Sequence, residues 1–450
     1  MKKALTIAGS DSSAGAGIQA DLKTFSALGI YAATVITTLT AQNTKTVSDI
    51  FVVPSKFFRN QLKTTLSDVK PDVIKVGVLY DKSIIKIVRD ELANYRKPII
   101  VDPVLYSGTG IKLLDERSYE AFKRDIIPLS AVITPNIREA ELLSEIVIKS
   151  SKDLTKVARS IGNLGANIVI IKGGHSKKKD TEISDFYYDH SSPDYHKISN
   201  PRLPLDETHG TGCNFSSAIA SYIAIGCQPK QAFILANSYV NRALKNVLKV
   251  GDGVLVTNPL SQIHTNSEKF ETLIALQTSV EQLEQMNGFS LLIPETKTNF
   301  VYSIPIPHDL FDVAGVVGRI TNYQNTIRSP NVVKFGASSH VGNAILVANT
   351  FNPVFRSAIN IRVNDKLLKI CKELFSCSNY DRKFEPVTSK HKEGTTIQWG
   401  VIEAFKKNPN LEMIYHHGDF GKEPMILLFA ETPDKILTKI AAILEIFNNI

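Results

Sequence analysis

Six short apolar runs alternate with amphipathic stretches through the first 260 residues of the chain, and this alternation leaves few folds open to it. Runs of Val, Ile and Leu without polar alternation indicate strands that are covered on both faces. The stretches between them, such as 81–95 and 152–165, have the spacing of amphipathic helices. The pattern predicts an α/β domain with a mostly parallel, doubly covered sheet. We expect strands at 4–9, 34–39, 73–78, 98–102, 131–134 and 167–172.

The pattern breaks near residues 251–267, where Gly, Asn, Pro and Ser cluster. We place the domain boundary at 258–267, between a first domain of residues 1–260 and a second, smaller domain of residues 267–450. A helix is expected to open at about 267, with Asn266 or Ser267 as its N-cap. The second domain mixes strands with helices and so is also α/β. Its expected strands include 289–294, 332–336, 358–363 and 424–430, and its expected helices are 267–287, 364–375 and 433–447.

Charge, hydropathy and cysteine spacing limit the kinds of ligand and cellular setting expected for this protein. The net charge of +8 suits anionic ligands, either phosphorylated metabolites or nucleic acid, but no aromatic-basic motif supports nucleic acid. No run approaches the roughly 18 apolar residues of a membrane span, and the start of the chain is a poor signal peptide. None of the four cysteines forms a CxxC or a zinc-type spacing. These features predict a cytoplasmic protein that binds small anionic molecules.

The segment "THGTGCNF" (208–215) places a glycine turn immediately before an apolar-periodic helix. Such a turn directs backbone N–H groups and the positive end of the helix dipole at one point, which is a site for phosphate. Cys213 follows the turn, where a helix N-terminus is expected to lower the pKa of its thiol and make it a base. Taken alone, a glycine turn that caps a core helix is an equally good interpretation.

Polar residues at the ends of neighbouring strands favour the functional interpretation. Asp102 ends one strand, Glu139 follows the next, and Lys172 ends a third. Ligands of doubly wound sheets bind at the carboxyl ends of the strands. Asp102 and Glu139 would hold Mg²⁺ through water, and Lys172 would meet the phosphates of ATP. Each residue alone has a structural explanation, but three of them beside the glycine turn favour phosphoryl transfer.

The ordered motifs of the first domain resemble the hydroxymethylpyrimidine and hydroxymethylpyrimidine phosphate kinases of thiamine synthesis, which belong to the ribokinase superfamily. The motifs are "AGSDSSAGAGIQADLKT", "TTLTAQN", "VDPV", "TPNIREAE", "VIIKGGH" and "THGTGC". The resemblance implies a ribokinase-like fold and a kinase that uses ATP and Mg²⁺. It covers residues 1 to about 255, with Ala14 and Asn214 as mild departures from the family pattern.

The resemblance also implies which residues act. Cys213 matches the catalytic position, and the amides of Gly210, Thr211 and Gly212 match the anion hole. Small residues at 9–17 would let the first loop close over a flat ring, with Asp21 facing that ring. The resemblance implies substrate binding by Gly9, Asp21 and Gln42. We add Val104 to the expected substrate-binding positions. The expected ATP or phosphate positions are Lys172, Thr208, Gly210, Thr211 and Gly212, and the expected metal positions are Asp102 and Glu139.

Three loops of the second domain are suited to phosphate. Arg319 follows a glycine, Ser338 or Ser339 can cap a helix whose first turn holds His340, and "HHGDFGKEP" (416–424) carries Lys422. A hairpin with solvated charges is the simpler interpretation of the last loop. These motifs resemble the thiamine phosphate synthase domain that often follows this kinase. The resemblance implies that Arg319 and His340 are catalytic. The positive charge of Lys422 suits it to bind phosphate in such a site.

Together the two resemblances imply a bifunctional enzyme of thiamine biosynthesis. The first domain would phosphorylate the aminopyrimidine alcohol twice, and the second would join the diphosphate to hydroxyethylthiazole phosphate and release diphosphate. The alternative is a kinase with a non-catalytic second domain that senses thiamine phosphate. We expect small-molecule substrates, no nucleic-acid or membrane partner, and an assembly that is either monomeric or a homo-oligomer.

Overall fold

The computed structural model describes residues 1–106, 114, 116–174, 181–192, 194–205, 208–324, 326–381, 385–386, 395–418 and 423–449. The chain divides into two compact units, Met1–Ile263 and His264–Ile450. The division falls within the predicted boundary of 258–267. No described helix is both long and apolar enough to cross a membrane.

The first unit is built on one large sheet whose six central strands are parallel and whose edges are antiparallel. This arrangement confirms the predicted mostly parallel sheet. With strands numbered along the chain, the order across the sheet is β3 (Val47–Val52), β2 (Tyr31–Gln42), β1 (Lys3–Asp11), β4 (Val73–Val76), β5 (Ile99–Val101), β6 (Val132–Ile133), β7 (Ile168–Ile171), β8 (Glu182–Asp189) and β9 (Asp194–Pro201).

Helices cover both faces of this sheet, so its strands are apolar on both sides. Along β1, Leu5 and Ile7 join one core cluster, while Ala4 joins the cluster on the opposite face. A short parallel pair, β10 (Thr208–His209) and β11 (Leu255–Val256), lies apart from the large sheet. The helices are α1 (Gly17–Ala27), α2 (Ser55–Val69), α3 (Lys82–Leu92), α4 (Glu116–Asp125), α5 (Ile137–Ser144), α6 (Ser151–Asn163), α7 (Thr211–Ala224) and α8 (Pro229–Lys245).

The topology places five chain segments at one edge of the sheet. Because β1, β4, β5, β6 and β7 are parallel, their carboxyl ends lie side by side. Asp102 follows β5, Asn136 and Glu139 lie at the start of α5 after β6, and Lys172 follows β7. This edge is where ligands bind in folds of this class.

The second unit is a smaller α/β structure on a mostly antiparallel sheet. Its order is β16 (Val333–Phe335), β13 (Val313–Val316), β12 (Phe300–Ser303), β17 (Ser357–Arg362), β20 (Met425–Ala430), β19 (Met413–His416) and β18 (Cys377–Asn379). A hairpin of β14 (Thr321–Tyr323) and β15 (Thr326–Arg328) stands apart. The helices are α9 (Ser261–Glu284), α10 (His340–Phe351), α11 (Asp365–Leu374), α12 (Thr395–Phe405) and α13 (Pro433–Asn449).

Three local predictions in this part of the chain were wrong. Helix α9 begins at Ser261 rather than at 267, because the run after Pro259 is already compatible with a helix. The apolar segment predicted as a strand at 289–294 forms a 3₁₀ turn over Phe289–Leu292, entered through Gly288 at φ +89°. Helix α10 has Ser339 at its N-cap, but no side chain caps it.

Candidate functional site

A cavity opens at the carboxyl end of β1, between the first loop and α7. The loop approaches so closely that a Cβ on Gly17, whose φ is +56°, would lie 2.3 Å from the carbonyl oxygen of Gly9. Glycine is therefore required at position 17, because the backbone there leaves no room for a side chain. Of the four predicted substrate-binding residues, three line this cavity, namely Gly9, Gln42 and Val104. Other lining residues include Asp11, Val47, Ile50, Lys75, Val78, Tyr80, His209 and Cys213.

Asp11 ties the first loop to the glycine turn before α7. Its carboxylate accepts hydrogen bonds from the backbone N–H groups of Ser13, Gly15 and Ala16, and it lies 2.9 Å from Nε2 of His209. Although burial opposes ionisation, the bond with His209 and these donors lower the pKa of Asp11 to about 2. Gln42 Nε2 also lies 2.9 Å from the His209 ring. His209 was not predicted as a site residue, although it lies inside the motif "THGTGC".

Asp21 does not face the cavity directly, which corrects the geometry expected from the sequence. Its carboxylate is fully buried, and Lys75 Nζ lies 2.9 and 3.0 Å from its two oxygens. Thr6 and Ser217 donate to the same carboxylate at 2.6 and 2.7 Å. Lys75, on β4, is the member of this pair that lines the cavity. Its signal in the sequence is a lysine inside the apolar run "VIKVGV".

The charges of this pair support one another. Burial alone would lower the pKa of Lys75, but the adjacent carboxylate of Asp21 outweighs burial and holds that pKa above its ordinary value. The ammonium group also acts on Cys213 and Asp102. The ammonium charge of Lys75 is therefore fixed in the cavity wall near Cys213.

Helix α7 begins at the glycine turn as predicted. Gly210 is its N-cap at φ +88°, and Cys213 lies in its first turn and lines the cavity. The hydroxyl oxygens of Thr208 and Thr211 lie 2.9 Å apart and form a hydrogen bond. The expectation of a lowered thiol pKa is wrong for this structure. Desolvation raises the pKa of Cys213 to about 11, because it outweighs the attraction of Lys75.

The strand-end residues meet beside this helix. Lys172 Nζ lies 2.7 Å from Asp102 Oδ1, and Ser216 of α7 donates to Asp102 Oδ2 at 3.3 Å. A Cβ on Gly212 would lie 3.2 Å from Lys172 Nζ and 3.6 Å from Asp102 Oδ2. Burial would raise the pKa of Asp102, but Lys172 and then Lys75 hold it below its ordinary value. Lys172 and Asp102 thus lie together beside Gly212 at the start of α7.

Glu139 completes this cluster from the first turn of α5. Its side chain accepts the N–H of Asn136 at 2.9 Å while Asn136 caps the N–H of Glu139, so the two form a capping box. Burial raises the pKa of Glu139 to about 7, although Lys172 opposes the shift. A cation bound nearby would stabilise the ionised form of this buried carboxylate.

Asp102 and Glu139 fit a hydrated Mg²⁺ better than a fully protein-bound one. The described residues contain no group of three or more His, Cys, Asp or Glu side chains that would enclose a metal. Mg²⁺ commonly takes one or two carboxylates and completes its shell with water and substrate phosphates. Two buried carboxylates beside a phosphate-suited helix terminus match that pattern.

In the second unit, Arg319 is exposed after β13 and has φ +68°. Its Nη1 donates to the carbonyl oxygen of Thr296 at 2.6 Å. Glu423 binds the same turn, because its carboxylate accepts the N–H groups of Glu295 and Thr296, each at 2.8 Å. Glu423 and Arg319 therefore both bind the turn that contains Thr296.

His340 is exposed as the first residue of α10. Because β13 and β16 are antiparallel, Arg319 follows the carboxyl end of β13 while His340 follows the opposite end of that strand pair. Lys422 lies outside the described residues, so its placement stays a prediction.

Two family models match the chain, one for each unit. The model described as Phosphomethylpyrimidine kinase matches residues 11–258, and the model described as Thiamine-phosphate synthase ThiN matches residues 275–442. The Bifunctional thiamine biosynthesis protein ThiDN of Methanocaldococcus jannaschii is 31% identical over 448 residues, which cover 99% of each chain. The chain belongs to the ThiDN family. It therefore combines an enzymatic hydroxymethylpyrimidine and phosphomethylpyrimidine kinase domain with a thiamine-phosphate synthase domain.

Other relatives match the kinase domain of this ThiDN family member. The ThiED protein of Geobacter sulfurreducens is 41% identical over 250 residues, so the match spans 55% of this chain and only 50% of that relative's length. The hydroxymethylpyrimidine/phosphomethylpyrimidine kinase of Bacillus subtilis is 40% identical and covers 57% of this chain and 94% of its own. The interpretation of the second domain as a non-catalytic sensor is not favoured by these findings.

A solved structure confirms the ribokinase-like fold of the first unit. The pyridoxal kinase from Staphylococcus aureus, in complex with AMP-PCP and pyridoxal, has a TM-score of 0.53 and 36% sequence identity. The match covers 58% of this chain and 94% of that one.

Proposed function

We propose that the first domain transfers the γ-phosphoryl group of ATP to the hydroxymethyl group of 4-amino-5-hydroxymethyl-2-methylpyrimidine and then to the resulting monophosphate. The observation that carries the proposal is the convergence of Cys213, Asp102 and Lys172 at the start of α7, beside the cavity. The substrate alcohol would lie in the cavity and ATP at the strand ends.

Cys213 is the group proposed to accept the proton of the attacking alcohol. A loose phosphoryl-transfer transition state depends on positioning and charge stabilisation more than on a strong base. Only the thiolate can accept this proton, so Cys213 must first lose its own proton to solvent, and the alcohol proton then moves to the sulfur late, as the new O–P bond forms. Lys75 favours the thiolate, because its ammonium charge opposes the effect of desolvation on Cys213.

The anion hole and cation cluster would stabilise the transferring group. The amides of Gly210, Thr211 and Gly212 point from the start of α7, where the helix dipole is positive. Lys172 would bind phosphate oxygens, and Thr208 would support the turn through Thr211. Asp102 and Glu139 would hold hydrated Mg²⁺, which neutralises phosphate charge when bound.

The cavity is proposed to recognise the aminopyrimidine. Gln42 offers a donor and an acceptor to the ring edge, Gly9 leaves room for the ring, and Val104 gives an apolar wall. Asp21 would act through Lys75 rather than by contact. Pyridoxal is a second candidate substrate, because the Staphylococcus aureus kinase at 36% identity was solved with pyridoxal.

The second domain is proposed to condense the diphosphate with hydroxyethylthiazole phosphate, giving thiamine phosphate and diphosphate. Arg319 would bind the departing diphosphate through its planar guanidinium, and Lys422 would add a second cation. His340 would orient or protonate that group. All three residues lie within residues 275–442, the part of the chain that matches the thiamine-phosphate synthase model.

We also propose a cytoplasmic location and small-molecule substrates without nucleic-acid or membrane partners. Dependence on ATP and four cysteines without a disulfide support this setting. Formation of a homo-oligomer stays a prediction.

Two variants of the full-length protein test the proposal. With ATP, Mg²⁺, the pyrimidine and thiazole phosphate, the wild type should form thiamine phosphate. Cys213→Ala should lose phosphorylation by about a hundredfold or more but still condense supplied pyrimidine diphosphate. Arg319→Ala should do the reverse, and liquid chromatography with mass spectrometry separates the products.

Specific outcomes would contradict the parts of this proposal. Unchanged phosphorylation by Cys213→Ala would remove Cys213 as the base. Wild-type protein that accumulates pyrimidine diphosphate without thiamine phosphate would favour the sensor alternative. Pyridoxal added as a competitor distinguishes the second candidate substrate, because a better kcat/KM for pyridoxal would replace the pyrimidine as the preferred alcohol.

A further inference from the structure

Tyr80 is a cavity residue held in an unfavourable backbone conformation. Its φ is +64°, in the left-handed region that bulky side chains rarely adopt. The Asp81 N–H donates to the carbonyl oxygen of Leu79 at 2.8 Å, so Tyr80 is the central residue of a strained three-residue turn. Glycine would occupy this position without strain.

The surrounding chain keeps this turn in place. Leu79 is buried in the core at 2% exposure, and Asp81 caps α3 by accepting the N–H of Ser83 at 2.7 Å. The carbonyl oxygen of Val78 accepts the Thr37 hydroxyl at 2.7 Å. The neighbouring contacts hold the backbone of residue 80 in this conformation despite its cost. A bulky side chain retained at such a position indicates a role in the cavity.

Tyr80 differs from the other strained residues in its location, because it lines the cavity. Of the non-glycine residues with positive φ in the described part of the chain, it is the one that lines the cavity. It is also the only Phe, Tyr or Trp among the lining residues that the structure describes, and its side chain is half-buried. The other apolar walls are aliphatic, formed by Val47, Ile50, Val78 and Val104.

We propose that the Tyr80 ring is the aromatic face against which the substrate ring stacks, and that it selects flat heteroaromatic alcohols. Gln42 and other polar groups can satisfy the edge of such a ring but contribute little to its faces. An electron-rich phenol ring in offset contact with an electron-poor pyrimidine supplies that missing interaction. This inference rests on the proposed function, because it assigns the aminopyrimidine to this cavity.

Replacing Tyr80 by glycine separates binding from stability. Tyr80→Gly removes both the ring and the backbone strain, so a structural role and a binding role predict opposite results. We expect the Kd for 4-amino-5-hydroxymethyl-2-methylpyrimidine, measured by calorimetry without ATP, to rise about threefold to tenfold. The thermal midpoint should stay level or rise, because strain is relieved. Tyr80→Phe should bind within about twofold of the wild type, since it keeps the ring.

Lys70→Gly is the matched control. Lys70 has φ +48° at the C-cap of α2 and does not line the cavity. This variant should gain stability without a change in the Kd for the pyrimidine.

A Kd for Tyr80→Gly within about twofold of the wild type would overturn the inference. An equal weakening of ATP binding would also overturn it, because the loss would then be general. Turnover with ATP is measured separately. A wild type that binds the pyrimidine but does not phosphorylate it would contradict the proposed reaction and leave the comparison of Kd values valid, whereas a wild type that does not bind it would overturn both.

Discussion

Asp21 and Lys75 show how a residue identified by motif can act through a neighbour. Removing two charges from water is costly, and a buried ion pair survives only with good geometry and further hydrogen bonds. Here Thr6 and Ser217 donate to the same carboxylate that binds the ammonium group. The pair is therefore satisfied internally. Its functional contribution is the positive charge that Lys75 brings to the cavity wall next to α7.

The reactivity of Cys213 should reveal its desolvated environment. Only the thiolate reacts with iodoacetamide, and the pKa of Cys213 is raised to about 11 in the unliganded protein. We expect the alkylation rate at Cys213 to rise about tenfold per pH unit from pH 7 to 10 and to reach about half its maximum near pH 11. Peptide mapping by mass spectrometry after short pulses measures this rate separately from the other three cysteines.

Cys213→Ser identifies the modified peptide and serves as the control for this measurement. A rate that is already constant above pH 8 would indicate a lowered thiol pKa. In that case the helix dipole, which the sequence had indicated, would together with Lys75 outweigh desolvation.

At the level of elements, the sequence predicted the first sheet better than the second. Strands of the first sheet are apolar along their length and covered on both faces, so composition alone indicates them. The segment at 289–294 has the same apolar character, yet Gly288 turns it into a 3₁₀ turn that buries Phe289 and Leu292. A short apolar run cannot distinguish a strand from a buried turn of helix.

Only the part of the site that local sequence patterns encode was predicted. Glycine turns and strand-end acids are local patterns, so Gly210, Cys213 and Asp102 were identified from their neighbours in sequence. The ion pair of Asp21 with Lys75 joins α1 to β4 across 54 residues. Such a pairing follows from the order of strands in the sheet, which no local pattern contains.

The N-terminal end of α7 should tolerate a methyl group far less than its C-terminal end. Gly210 has φ +88°, and a Cβ there would lie 2.0 Å from the carbonyl oxygen of Gly15. Gly210→Ala must therefore move the turn that carries the anion-hole amides. We expect a fall of about a hundredfold in kinase kcat and a stability loss of about 2 kcal/mol. Steady-state assays and urea unfolding measure the two effects.

Gly226→Ala is the control from the other end of the same helix. Gly226 also has a positive φ of +102°, but a Cβ there meets nothing within 4 Å. Its cost should be limited to about 1 kcal/mol of backbone strain, with kinase kcat unchanged. Equal losses of activity in both variants would show that the effect comes from destabilised α7 rather than from the anion hole.

At the scale of the whole molecule, each unit has its own core. One pair of clusters covers the two faces of the first sheet, and a separate pair covers the second. Domains with separate cores can unfold in separate steps, and we expect the two units of this chain to do so. The chain has one tryptophan, Trp399, which lies in the second unit within α12. Tryptophan fluorescence therefore reports the unfolding of that unit.

Core truncations in the two units should shift different transitions. Phe429 is fully buried on β20, with its ring centroid 5.4 Å from that of Phe405, and Phe58 is fully buried on α2 of the first unit. Each change to alanine should cost its own unit about 3–5 kcal/mol. Phe429→Ala should lower the temperature of the Trp399 fluorescence transition and leave heat inactivation of the kinase unchanged, while Phe58→Ala should do the opposite. If either variant shifts both transitions by the same amount, the units unfold as one, because the stability of each core would then depend on the other.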